Sequence, residues 1–320
     1  MSAGEIAAVA GMVLSGAVML FFLFALLSAL IAAVLFRYTI HRRPQKGERT
    51  HSAGLDPFDA MLQQGLAWSN EQHFETVTVQ SWDGLRLQAR FLFVPGSKKA
   101  VLMMHGYLAD TMYEFSCGMR YFYEHGYSVL LPAQRAHDES QGEYIGFGVL
   151  ERYDVLTWSQ YLTRRCGADC RILLHGISMG ASTVLMASGL PLPHNVVGII
   201  SDCGFTSPEA IMQCVLHRDM RLYGFPILYF ARAFSHRYAK FDTAYSTREA
   251  LRHSEIPVLF IHGSDDELVP ISMTLDNYQA CRSPKRLMVV RGARHGCSYF
   301  TDTPAYTRAV EDFASLCGIV

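Results

Sequence analysis

From Ile6 to Phe36 the chain runs IAAVAGMVLSGAVMLFFLFALLSALIAAVLF, 31 positions with no charge. About 20 apolar residues cross a bilayer as a helix, so the segment predicts a retained membrane-spanning helix. A cleaved leader calls for a basic start, a shorter apolar run and a small-residue cleavage site, whereas this chain opens MSAGE. A buried core helix seldom lacks every charge for so long. The next stretch, 37 to 57, is basic and polar with Pro44, Gly47, Gly54 and Pro57, and reads as a juxtamembrane linker. FDAMLQQGLAWSN, 58 to 70, reads as a short helix at a domain edge. The expected organisation is an anchor over 1–40, linker and short helix over 41–73, and a folded domain over 74–320.

At Phe74 the period changes. FETVTVQSWDGLRLQARFLFVP alternates apolar and polar positions on either side of SWDG, which predicts a hairpin turning at Asp83 and Gly84. From Lys99 onward alternation gives way to short continuous apolar runs: KAVLMMHG, YSVLLP, CRILLHG, VVGIISD, IPVLFIHG and RLMVVRG. Continuous runs are the mark of strands covered on both faces, as in parallel sheets. Helix-length segments lie between them, at 112–125, 151–165, 179–190, 271–281 and 305–316. The alternation predicts an α/β fold, a mostly parallel sheet flanked by helices. Residues 205 to 245 are too long for a simple crossover and rich in aromatics and methionine, so they are expected to form a helical lid over the carboxyl ends of the strands.

Charge excludes one class of partner. Acidic and basic residues nearly balance at a net charge of -1, and the basic ones form no stripe beyond the first 50 positions, so nucleic acid is not expected. Around the apolar segment the balance is uneven. Glu5 precedes it, whereas Arg37, Arg42, Arg43, Lys46 and Arg49 follow, which by the positive-inside tendency places the folded part in the cytoplasm. The eight cysteines fit free thiols in a reducing compartment: CGADC at 166–170 is one residue too long for a CxxC knuckle, and no second close pair completes a zinc set.

The candidate chemistry centres on GISMG, 176 to 180, set between the strand RILLH and a helix. A sharp strand-to-helix turn projects Ser178 away from the sheet, and side chains two positions before or after it would collide with backbone, which favours Gly176 and Gly180. A serine hydroxyl needs a base to take its proton and a carboxylate to orient that base. Asp266 and His295 both fall just past the carboxyl ends of strands, the edge where open sheets bind ligands, and the order Ser, Asp, His fits such a mechanism. Asp265 stands beside Asp266 as an alternative acid, and Asp202, ending VVGIISD, reads as structural. His175, just before the elbow, reads as a packed strand-end residue; His217, His236 and His262 have no metal-ligand spacing and there is no HExxH pair or phosphate loop, so no metal or cofactor is called for.

With HGY at 105–107, RAHDESQG at 135–142, GISMG, HGSDDELVP at 262–270 and RHGCSY at 294–299, the chain from about Phe74 resembles the alpha/beta-hydrolase superfamily, near the serine-aminopeptidase-like and BEM46-like serine hydrolases. The resemblance implies Ser178 as nucleophile, His295 as general base, Asp266 as acid, and the N–H groups of Tyr107 and Met179 as the oxyanion hole. It also implies cleavage of a small or amphiphilic acyl substrate, an ester or thioester first; a peptidase or amidase of the same fold, or a silent membrane-anchored binding domain, is the alternative. RAHDES departs from the family's RGHG run, with Ala136 and Asp138 at the glycine positions. That departure bears on the loop's shape and on subfamily placement more than on the triad.

Overall fold

The computed structural model describes residues 1–42 and 56–319. Most of the expected juxtamembrane linker, with Arg43, Lys46 and Arg49, lies outside them. Helix α1 spans Ala3–Thr39 and α2 Asp59–Asn70, followed by the hairpin strands β1 (Glu75–Gln80) and β2 (Arg86–Leu92). Strands and helices then alternate: β3 (Lys99–Met104), α3 (Thr111–Glu124), β4 (Ser128–Pro132), α4 (Glu151–Cys166), β5 (Arg171–Ile177), α5 (Met179–Ala187) and β6 (Val196–Asp202). The long insert holds α6 (Pro208–Met220), α7 (Ile227–Phe234) and a π-helical turn over Ser235–Ala239. The chain closes with α8 (Thr247–His253), β7 (Val258–Gly263), α9 (Ile271–Ala280), β8 (Lys285–Val290), α10 (Ser298–Thr301) and α11 (Thr303–Leu316).

One sheet of eight strands, in the order β1-β2-β4-β3-β5-β6-β7-β8, organises the body. β1 and β2 run antiparallel to each other and β2 antiparallel to β4; every other pairing is parallel. The continuous runs are explained by two apolar layers. Phe115, Phe122, Val310 and Phe313 cover one face of the sheet from α3 and α11. Trp158, Leu162, Leu185 and Leu251 cover the other from α4, α5 and α8. RLMVVRG departs from the expected double burial: β8 has a neighbour on one side only, and Leu287 and Val289 are exposed. An edge strand needs no cover on both faces.

α1 is the one described helix long and apolar enough to cross a membrane. Its two ends live in different surroundings. Before Ala25 nearly every side chain is exposed, whereas Ser28, Ala32, Phe36 and Ile40, spaced four apart on one helical face, turn toward the body. Ala32 and Leu35 meet Leu216, Ile227 and Leu228 of the insert, and Phe36 meets Phe234 and Tyr238 edge-on or tilted. Past the helix, Ile145 N–H donates to the Ile40 carbonyl at 2.7 Å, and Arg42 donates to the backbone carbonyls of Asp138 and Ser140 at 2.7 and 2.8 Å. The last third of α1 is therefore docked on the folded body rather than held off it. α2 is docked too: Leu62 is fully buried beside Cys297 and Phe300.

Candidate active site

Between the end of β5 and the start of α5 there is a single residue, Ser178, with φ 55° and ψ -115°. Left-handed backbone at a non-glycine residue is a strained arrangement that concentrates at functional sites. Its neighbours explain why the sequence reads GISMG. A Cβ on Gly176 would overlap the Gly180 carbonyl, and one on Gly180 would overlap the Met104 carbonyl of β3, so neither position admits a side chain. Ser178 N–H donates to the Asp202 carbonyl at 2.9 Å, which ties the turn to β6.

Ser178 Oγ lies 2.8 Å from His295 Nε2, and His295 Nδ1 lies 2.7 Å from Asp266 Oδ2. A carboxylate can only accept, so Nδ1 carries the proton and Nε2 is left to accept from the serine hydroxyl. The histidine is 15% exposed on its side chain and the aspartate 0%, so the chain of hydrogen bonds is shielded from solvent at its carboxylate end. Asp266 Oδ1 accepts the N–H groups of Leu268 and Val269 at 2.9 and 2.8 Å. Burial disfavours its charge, but hydrogen bonds from His262 and His295 outweigh burial and hold the carboxyl below the usual carboxylate range.

The other candidates separate cleanly. Asp265 accepts from Ser264 Oγ at 2.6 Å and takes no part in this chain of bonds. Asp202 accepts from Ser298 Oγ at 2.9 Å, and burial pushes its pKa up to about 6. His175, buried, has Nε2 3.1 Å from the Tyr306 hydroxyl, and burial lowers its pKa to about 3. His217 and His236 belong to the insert, away from the described hydrogen bonds of Ser178. One cluster of metal-ligand residue types occurs among the described residues: Cys203, Asp266 and His295, with ligand atoms within 4.8 Å of one another. Two of its members are already bonded to each other, and burial pushes the Cys203 thiol well above its ordinary value, which disfavours the thiolate a metal needs.

Met179 opens α5, and the first N–H groups of a helix have no acceptor within it. Opposite it runs the loop after β3. A Cβ on Gly106 would stand 3.6 Å from Ser178 Cβ, so this loop lies directly against the serine. Two side chains hold it, one buried and one half-buried. Gly106 N–H donates to Glu114 Oε2 at 2.7 Å, and burial raises the pKa of that carboxyl to about 8. His105 Nε2 accepts from Gln134 N–H at 3.0 Å, leaving Nδ1 to donate to the Gly106 carbonyl at 2.7 Å. Tyr107, next along, stacks on Phe147 and donates its hydroxyl to the Thr39 carbonyl of α1 at 2.9 Å.

The RAHDES loop keeps the backbone that glycine favours without having glycine: Ala136 has φ 61° and Asp138 φ 43°. Arg135, itself buried, fixes the loop through Asp154 of α4 at 2.7 Å and Asp83 of the hairpin turn at 2.8 Å. A buried ion-pair cluster thus holds these two non-glycine residues at positive φ.

Sequence reasoning missed the parts played here by three residues: Glu114, Arg135 and His262. His262 Nε2 lies 2.9 Å from the Val269 carbonyl and 3.2 Å from Asp266 Oδ2, while Nδ1 lies 2.7 Å from Thr274 Oγ1. The only available signal was the four-residue spacing from His262 to Asp266 in HGSDD.

Above Ser178 opens an apolar cavity of about 290 Å³. Its walls come from three places: Phe147 and Val269 of the body, Phe205, Ile211, Leu216 and Leu228 of the insert, and Leu35, Phe36 and Thr39 of α1 with Ile40 just past its end.

With this geometry in hand, a family model described as the alpha/beta hydrolase fold matches residues 99–254. The chain is 29% identical over 218 residues to an uncharacterized protein of Bacillus subtilis strain 168, YqkD, spanning 67% of this chain and 70% of that one. Among solved structures, an esterase of Pyrococcus furiosus superposes with a TM-score of 0.65 at 19% identity, covering 87% of this chain and 98% of its own. The esterase domain of a Rhodothermus marinus protein gives 0.53 at 20% identity, covering 76% and 98%. The protein has the alpha/beta-hydrolase fold, with a mixed, mostly parallel sheet flanked by helices.

Proposed function

We propose that this protein is a serine hydrolase that cleaves carboxylic esters or thioesters through an acyl-enzyme. The observation that carries the reading is the unbroken chain Ser178 Oγ, His295 Nε2, His295 Nδ1, Asp266 Oδ2, at 2.8 and 2.7 Å, ending at an apolar cavity. Ser178 attacks the acyl carbonyl as His295 takes its proton at Nε2; the tetrahedral oxyanion is received by the N–H groups of Met179 and Tyr107. His295 then returns the proton to the leaving alcohol or thiol, the C–O or C–S bond breaks, and the ester to Ser178 is left. Water, deprotonated by the same histidine, releases the acid and restores the serine. Asp266 keeps Nδ1 protonated and stabilises the imidazolium formed in both halves. α1 serves as a single-pass anchor with the hydrolase on the cytoplasmic side, and residues 205–245 serve as the lid.

Superposition on two esterases favours an ester over an amide, and within the superfamily the N-terminal helix and the HGSDDELVP run favour the serine-aminopeptidase-like and BEM46-like group. The test is a fluorophosphonate probe and a p-nitrophenyl ester series, applied to the full-length chain and to Ser178→Ala. Labelling and turnover that vanish in the variant are expected. Folded wild-type protein that neither labels nor turns over any ester would overturn the reading in favour of a binding domain.

A further inference from the structure

The cavity above Ser178 is closed on one side by a helix that also leaves the body as an exposed apolar rod. Leu35, Phe36 and Thr39 of α1 line it with Ile40 just past its end, and the preceding residues back to Ile6 carry no charge. Two hydrogen bonds pin this wall: Tyr107 hydroxyl to the Thr39 carbonyl at 2.9 Å and Ile145 N–H to the Ile40 carbonyl at 2.7 Å. They satisfy carbonyls that a helix C-terminus otherwise leaves without partners. The insert adds a second feature. Met220 lines the cavity yet is 51% exposed, and beside it Tyr223, Phe225 and Tyr229 stand 80%, 82% and 66% exposed. A soluble surface seldom presents such a cluster, whereas aromatic side chains settle at the membrane interface.

We propose that the anchor helix is itself a wall of the acyl-binding site, so that the substrate is a bilayer-resident ester whose acyl chain slides along α1, past Met220, to Ser178. This deepens the hydrolase reading and rests on it. The bilayer is the occupant of the aromatic face because that face is continuous, through α7, with the helix that enters the membrane. About 22 unpacked residues of α1, from Ala3 to Phe24, supply roughly 33 Å of helix, close to the roughly 30 Å of a hydrocarbon core. Such an arrangement needs no free stalk: from Ser28 onward α1 packs on the body, and about 16 Å of helix from Phe24 to Leu35 links the span to the cavity. Leu35 and Phe36 become specificity-determining residues, although they sit in a segment that sequence alone reads as anchor.

The experiment uses the full chain in lipid nanodiscs, with p-nitrophenyl acetate, octanoate and laurate as substrates and fluorophosphonate labelling of Ser178 as an independent readout. Leu35→Trp, which fills the cavity from the α1 side, is expected to lower the octanoate-to-acetate ratio of kcat/KM at least about tenfold, the scale at which pocket volume discriminates acyl groups. Leu35→Ala, which enlarges it, is expected to shift the preferred chain toward laurate. Leu23→Trp, on the unpacked part of α1, leaves the ratio unchanged. Unaltered ratios in both Leu35 variants, with labelling intact, would overturn the wall and leave the hydrolase standing. Loss of labelling in Leu35→Trp alone would pass the decision to Leu35→Ala. No labelling of wild type would remove the hydrolase reading itself.

Discussion

At the floor of the cleft Ser178 is held by contacts that leave no room, with backbone of β3 and α5 closed around Gly176 and Gly180; the roof above the same serine is made of Leu35, Leu216 and Leu228, apolar side chains from segments far apart in the chain. The floor is specified by sterics and hydrogen bonds, the roof by area. The two should respond differently to change: the floor allows almost none, whereas the roof tolerates altered volume with a graded cost.

Four substitutions press on that contrast. Asp266→Asn keeps the shape of the floor but removes the charge that fixes the Nδ1 proton, so kcat is expected to fall by about 10⁴ with little change in KM; steady-state ester hydrolysis checks it. Gly180→Ala drives a methyl group into the Met104 carbonyl, and a loss of more than about 4 kcal/mol is expected in urea unfolding. A mild effect there would show that the floor can yield. On the roof, Leu228→Ala is expected to cost about 2 kcal/mol, the low end for a leucine that is 8% exposed, while Ser178 still labels.

The smallest effect concerns pH. Burial holds the Glu114 carboxyl at a pKa of about 8 against an ordinary value of 4.5, so between those limits the folded chain retains a proton that the unfolded chain has released. Stability from this group is therefore complete below about pH 4.5 and declines as pH rises toward 8. Glu114→Gln keeps an acceptor for Gly106 N–H and is expected to flatten that decline. Thermal midpoints of both proteins from pH 5 to 8 measure it; parallel curves would mean that Glu114 is ionised throughout.

The same contrast governs what was legible in the sequence. The strands of the sheet centre announce themselves because burial on both faces leaves few polar positions, and GISMG announces the elbow because sterics permit only glycine two places to either side. His295 and Asp266 follow from strand ends. The roof could not be read this way. The aromatics of 205–245 show that something is covered without showing that α7 meets α1, since contact between Leu35 and Leu228 depends on the tertiary path and leaves no local period. Buried polar supports are equally silent: Arg135 looks like one arginine among many until Asp83 and Asp154 are brought to it. Ala136 and Asp138 show the reverse case, in which residues other than glycine hold the positive φ that glycine favours.

The hydrogen bond from Tyr107 to Thr39 has one more implication. On the proposed reading, in which α1 crosses a bilayer and the protein is a hydrolase, catalysis runs in two dimensions, and the relevant substrate concentration is a mole fraction in the lipid rather than a molarity. Diluting the ester with inert lipid at constant bulk concentration should then slow turnover, and stretching or thinning the sheet of lipid should be felt, through one tyrosine, at the loop beside Ser178.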